Sequence, residues 1–294
     1  MKQKILLDTD IGTDIDDAVA LAYLLANPKC DLVGITTVTG ESTKRAMMAS
    51  ALCKIAGKNI PIYPGIEKPL IREQLQTKAQ QAKALNKWEH EKNFPQGEAI
   101  EFLRKTIRKN PGEIILLTIG PLTNIGLLFS IDPEIPSLLK GIYTMAGNYN
   151  LEAPAYSDVE WNAEGDYHAS YITYYANAEN HHSIGIDITS RITMDSKEFA
   201  EICKHDLLKP VLDFSQIWFE EWDAVTFHDP LVGATIFNDS ICKFEQGQVV
   251  VELDNKEKMG LTHWHPGKEG GNHLVAVDAN KEKFFEEYLS VFKD

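Results

Sequence analysis

The first 57 residues alternate between short apolar runs and longer helical ones, a pattern that few folds can absorb. Lys4 to Leu7 has strand length and is almost wholly apolar, while Asp17 to Ala26 has helix length and few polar positions. Asn27-Pro28 stops that helix, Leu32 to Val38 is rich in β-branched residues, and Thr43 to Ala56 forms a second helical run closed by Gly57. Strand, helix, strand and helix of these lengths predict parallel strands joined by crossover helices. The pattern resumes with a strand over Glu113 to Ile119, the turn Gly120-Pro121-Leu122-Thr123-Asn124 and an apolar helix to Phe129. Gly141 to Ala146 and Ser183 to Ile188 read as two further strands. The expected class is therefore α/β, an open, mostly parallel central sheet flanked by helices. Gln248 to Leu253, Leu261 to His265 and Leu274 to Val277 alternate like a small antiparallel appendage near the C-terminus, and Lys281 to Phe292 reads as an amphipathic helix. One domain is expected over residues 1–294. Residues 66–96, polar from Glu67 to Gln96 with Trp88 and His90 at the far end, read as a mobile excursion of the kind that forms lids.

Composition narrows the partners. A hydrophobic content of 44% suits a sizeable core, and a formal net charge of -14 argues against nucleic acid or an anionic membrane as partner. No apolar run is long enough to span a bilayer. Met1-Lys2-Gln3-Lys4 is followed by only three apolar residues before Asp8, which is not the pattern of a secretory leader. Cys30, Cys53, Cys203 and Cys242 show no paired spacing, so reduced core thiols and a cytoplasmic location are expected.

The end of the first strand carries the chemistry. Five aspartates fall in the run Asp8-Thr9-Asp10-Ile11-Gly12-Thr13-Asp14-Ile15-Asp16-Asp17. Like charges so close repel one another, and an all-carboxylate loop suits a hard divalent cation, Ca²⁺ or Mg²⁺. In a parallel sheet, ligands bind outside the carboxyl ends of the strands, which is where this loop lies. Helix capping accounts for one or two of the acids, Asp16 or Asp17, but not for all five. An EF-hand loop counted from Asp8 requires Glu at its twelfth position and finds Val19. A phosphatase of the haloacid dehalogenase class shares Asp-x-Asp after the first strand, but Thr13 comes one residue late for it.

Leu7 to Leu21 resembles the N-terminal Asp-x-Asp-x-x-x-Asp-Asp calcium loop of the inosine-uridine preferring nucleoside hydrolase family, with two extra residues before the Asp16-Asp17 pair. Gly34-Ile35-Thr36-Thr37-Val38-Thr39-Gly40 is similar to that family's second-strand motif, and Ile119-Gly120-Pro121-Leu122-Thr123-Asn124 to its strand-end turn. Met145-Ala146-Gly147, then Glu160-Trp161-Asn162 with Asp166 beyond, then His228-Asp229-Pro230, follow in the family's order. The resemblance implies Ca²⁺-dependent hydrolysis of the N-glycosidic bond of a ribonucleoside, giving base and ribose. It implies one Ca²⁺ per chain held by Asp10, Asp17, Asp229 and the Ile119 carbonyl, with Asp10 also taking a proton from a water at the metal. Asp16 would accept hydrogen bonds from sugar hydroxyls, Asp229 would face the sugar as well as the metal, and Glu160 and Asn162 would hold the outer hydroxyl. Asp8 would support the loop, and His228 would supply an acid for the leaving base. A homodimer or homotetramer is implied as well. The chemistry is consistent, since a carboxylate-lined pocket stabilises the positive charge of an oxocarbenium-like sugar.

Three departures bear on the substrate. Glu41 stands where the family has Asn against a ribose hydroxyl, Pro154 stands where it often has Asn six residues before Glu160, and Asp14 comes with the insertion. Glu41 is thus an expected sugar contact of altered chemistry, being an acceptor only when ionised. A binding-only descendant that holds Ca²⁺ and a nucleoside or polyol is the second reading. Asn124 reads as a helix cap. Trp218 and Trp222, four apart, read as a core stripe for at least one of them, with Trp88 and His90 as further aromatic candidates for stacking on a base. His181, His182, His263, His265 and His273 lack metal spacing and read as solvated or structural.

Overall fold

A computed structural model describes residues 2–150, 152–153 and 157–293, so Pro154 lies outside the described residues. Among them, nine strands form one sheet. In chain order they are β1 (Gln3–Thr9), β2 (Cys30–Thr37), β3 (Ile62–Pro64), β4 (Ile114–Thr118), β5 (Gly141–Met145), β6 (His181–Ile184), β9 (Cys242–Val251), β10 (Thr262–Pro266) and β11 (His273–Ala279). The remaining two strands, β7 (Thr193–Asp195) and β8 (Ala224–Thr226), pair antiparallel as a separate ribbon that the sequence did not suggest. The sheet order is β10-β9-β11-β6-β5-β4-β1-β2-β3. Every pair from β3 to β11 is parallel, and β9 and β10 complete the sheet antiparallel. The expected antiparallel appendage is thus present, but continuous with the main sheet through the β11–β6 ladder.

Successive residues of β1 face opposite sides of the sheet. Ile5 and Leu7 join the core formed with helices Asp16–Ala26, Ser42–Ile55 and His228–Thr235. Leu6 joins the core formed with helices Ala99–Lys109, Thr123–Ile131 and Tyr167–Tyr175. A strand buried on both faces reads as a continuous apolar run, which explains why Ile5-Leu6-Leu7 shows no alternation.

The predicted strand over Ser183 to Ile188 is corrected. β6 ends at Ile184, and Ile186–Thr189 turns into a short helix after Gly185. Ile184, Ile186 and Ile188 alternate as a strand would, and periodicity cannot separate strand from helix over so few residues. Residues 66–96 contain a 3₁₀ helix, Gln80–Lys87, that buries Gln81 and Leu85. The far end is held by the Trp88 indole N–H, which donates to Asp213 at 3.1 Å, and His90 Nδ1 lies 2.7 Å from the Trp88 carbonyl. Trp218 packs against the core and donates to the Ala224 carbonyl, while Trp222 stacks on it, 48% exposed. All four cysteines are buried and free. His181 and His273 are buried beside Tyr174, a structural role. Among the described residues, no helix is long and apolar enough to cross a membrane.

Candidate active site

The carboxyl ends of β1, β4 and β5 meet in one place, and the loops there carry on the ladder of the sheet. Ile119 N–H donates to the Asp8 carbonyl at 2.9 Å, and Val38 N–H to the Thr9 carbonyl at 3.0 Å. Asp8, fully buried, accepts from Thr36 Oγ1 at 2.5 Å and Asn124 Nδ2 at 2.7 Å through Oδ1, while Oδ2 has no protein partner. Burial pushes its carboxyl up to about 7. Asp10 lies against the β4 end, so close that a Cβ on Gly120 would come within 2.7 Å of its Oδ1. Glycine is required there by the close approach.

Asp16 and Asp17 open helix Asp16–Ala26, both buried, and Thr9 Oγ1 donates to Asp17. From the opposite end of the chain, Asp229 in helix His228–Thr235 sends its N–H to Asp16 Oδ2 at 3.1 Å. Carboxylate oxygens of Asp16, Asp17 and Asp229 lie within 4.8 Å of one another. Desolvation first, then mutual repulsion, raises the pKa of Asp16, Asp17 and Asp229 well above the ordinary carboxylate value. Asp10 rises to about 6 and Asp14 to about 7, chiefly by burial. Carboxylates this crowded and desolvated are stable as anions only with a cation among them. The donors are all hard oxygens, and those of Asp16, Asp17 and Asp229 lie close enough together to share one ion. The residues fit Ca²⁺ or Mg²⁺.

Glu160 lies near enough to Asp10 to feel its charge, and both Glu160 and Asn162 are engaged by backbone. Glu160 caps helix Trp161–Gly165, accepting from Asn162 N–H at 2.7 Å, Gly147 N–H at 2.9 Å and Ala163 N–H at 3.0 Å. Burial pushes its carboxyl up to about 7. Asn162 Nδ2 donates to the Met145 carbonyl at 3.0 Å and the Ile119 carbonyl at 3.3 Å. That carbonyl keeps a second lone pair free for another partner. His228 Nδ1 lies 2.6 Å from Thr189 Oγ1, and burial pulls the imidazole down to about 4. It is therefore neutral at physiological pH, where an unperturbed histidine would still be partly protonated.

Two residues behave differently from the sequence expectation. Asn124 makes no cap bond to its helix. It bridges three segments, donating to Asp8 and to the Thr37 carbonyl at 3.1 Å and accepting from Ile66 N–H at 2.9 Å. Glu41 adopts φ 60° and pairs with Lys44 at 2.7 Å, Lys78 at 3.3 Å and the Ala79 N–H at 3.0 Å. The hydrogen bond from Lys44 leads in holding its carboxyl down to about 2. Glu41 is thus charge-compensated and ties down residues 78–79, adding little to the excess charge of the aspartate loop.

Sequence reasoning missed Arg45. It lies fully buried behind the loop and donates to the carbonyls of Gly40, Asp10, Ile11 and Lys78 and to Thr13 Oγ1. The only signal was an arginine inside an otherwise small and apolar stretch, Arg45 to Ala49, which a surface helix shows equally often.

A family model described as inosine-uridine preferring nucleoside hydrolase matches residues 5–286. The inosine-uridine preferring nucleoside hydrolase of Crithidia fasciculata is 27% identical, over 97% of this chain and 96% of its own. The pyrimidine-specific ribonucleoside hydrolase RihA of Escherichia coli is 29% identical, again over 97% and 96%. Among solved structures, a purine-preferring ribonucleoside hydrolase from Gardnerella vaginalis superposes with a TM-score of 0.85 at 20% identity, covering 99% of this chain and 98% of that one. The match spans both strand ends and all the acids just described, and the chain belongs to the inosine-uridine preferring nucleoside hydrolase family.

Proposed function

We propose that the protein hydrolyses the N-glycosidic bond of a ribonucleoside, with one Ca²⁺ held by Asp10, Asp17, Asp229 and the Ile119 carbonyl. The observation that carries this reading is the convergence of buried carboxylates from Asp16, Asp17 and Asp229 within 4.8 Å; Asp10 is not in that cluster, and its place at the ion, like the assignment of Asp16 to the sugar, is what the family pattern implies. Bound there, the cation would lower the pKa of a neighbouring water. Asp10, buried beside the β4 end, would take the proton that this water gives up as it attacks the anomeric carbon. Asp16 and Asp229 accept hydrogen bonds from the inner sugar hydroxyls, and Glu160 and Asn162 orient the outer one. The remaining negative charge stabilises the sugar as it becomes oxocarbenium-like. The C–N bond breaks toward the base, whose nitrogen collects a proton from solvent, directly or after that proton has first passed to His228, which Thr189 Oγ1 holds at Nδ1. Glu41 shapes the sugar side through the turn it occupies. The assembly is a homodimer or homotetramer, and the buried free thiols suit a reducing, cytoplasmic setting.

The family match speaks against the phosphatase alternative, and Asp8, its required nucleophile, is fully buried with Oδ1 taken by Thr36 and Asn124. A screen of purine and pyrimidine ribosides for reducing-sugar release, with and without a chelator, tests the proposal. Turnover that stops on chelation and returns with Ca²⁺ supports it. Tight calcium binding with no turnover on any riboside would instead establish the binding-only reading.

A further inference from the structure

The aspartate loop is two residues longer than its family pattern, and a longer loop loses more conformational freedom when it is fixed around an ion. Something must hold it. Arg45 is 0% exposed, and among the described residues no carboxylate lies within ion-pair distance of it, although its charge is felt by Asp10, Asp17, Glu41 and Glu67. Its guanidinium instead spans three segments: the loop at Asp10, Ile11 and Thr13, the turn at Gly40, and residues 76–81 at Lys78. Gln81, also 0% exposed, clamps the same bend from the other side. Its N–H donates to the Gly12 carbonyl at 3.1 Å and its Nε2 to the Thr13 carbonyl at 2.9 Å. Ala79 fills the space above Gly12, where φ is +120°, with its Cβ 3.2 Å from where a Cβ would lie.

We propose that Arg45 and Gln81 are positioning residues that lock the Gly12–Thr13 bend against residues 76–81, so that the loop meets its cation already ordered. The inference rests on the cation reading above. It also changes the part played by the polar excursion, whose residues 76–81 become a strut of the metal loop and not a free lid. A guanidinium fork can bridge several carbonyls at once, whereas a lysine ammonium in its place keeps the charge and loses the span.

The test uses the full chain stripped of metal by a chelator and titrated with Ca²⁺ by calorimetry. Gln81→Leu keeps net charge and volume; it gives up the Nε2 bond to the Thr13 carbonyl but also removes a buried oxygen, Oε1, that has no protein partner, so the thermal midpoint should fall by no more than a few degrees. Its calcium Kd should rise roughly tenfold, the size of freeing about one backbone residue. Activity at saturating calcium should change much less than Kd, a split that general loss of folding does not produce. Arg45→Lys should weaken calcium by at least as much despite the retained charge. If both variants bind calcium within twofold of the unaltered chain, the inference is overturned. If Arg45→Lys does not fold, Gln81→Leu decides alone. An unaltered chain that binds no calcium overturns the cation reading itself, a result distinct from the first.

Discussion

Calcium and protons are expected to compete for the aspartate loop. In the metal-free fold Asp10 sits at about 6 and Asp14 at about 7, against 3.8 for an unperturbed aspartate. These folded-state values are raised, so the groups carry protons below pH 6 to 7 and must shed them before a cation can bind. For Asp10 alone, lowering the pH from 8 to 5 multiplies the calcium Kd by about ten, or ~1.4 kcal/mol, and any proton held by Asp16, Asp17 or Asp229 adds to that. The same raised values mean that ionising the empty loop opposes folding as pH rises through them, so calcium should stabilise the fold more at pH 8 than at pH 5. Calorimetric titration at both pH values, repeated in buffers of different ionisation enthalpy, gives the affinity and the number of protons released. A Kd independent of pH, or binding at pH 6 without proton release, would refute this reasoning.

Other outcomes follow from the same geometry. Asp10→Ala should lower base release by at least about 10³-fold, and a near-normal rate would show that another group is the base. Asn124→Ala removes bonds to Asp8, Thr37 and Ile66, and should cost about 2–3 kcal/mol in denaturant unfolding; a loss under 1 kcal/mol would mean that the bridge is dispensable. His273 is buried and held down to about 4, so it opposes protonation in the fold, and stability is lost as pH falls from its unfolded value of 6.5 toward 4, by about 3 kcal/mol. His273→Gln should flatten that part of the acid unfolding curve, and an unchanged curve would remove His273 as its cause.

The architecture was legible wherever one physical signal acted alone. Ile5-Leu6-Leu7 could only be a doubly covered strand once a helix followed it, and the acids after it marked a strand end. Legibility failed where two signals overlapped. Ile184 to Ile188 is equally apolar as strand or helix, and only the turn at Gly185 separates them. Asn124 has the residue type and place of a cap, but the buried Oδ1 of Asp8 and the open carbonyl of Thr37 compete for its amide and win. Arg45 lies in a helix whose polar and apolar residues show no clear sidedness, so nothing local says that it turns inward. What drives it inward is a set of carbonyls brought together from residues 10, 40 and 78, visible only after folding.

The central claim is that buried acids from both ends of the chain hold one cation beside the scissile bond. A crystal structure with Ca²⁺ and an unreactive riboside analogue tests it most directly. The account predicts one ion bonded to Asp10, Asp17, Asp229 and the Ile119 carbonyl at about 2.3–2.6 Å, with sugar hydroxyls completing its shell. An ion bound elsewhere, or a riboside bound away from these residues, would contradict it.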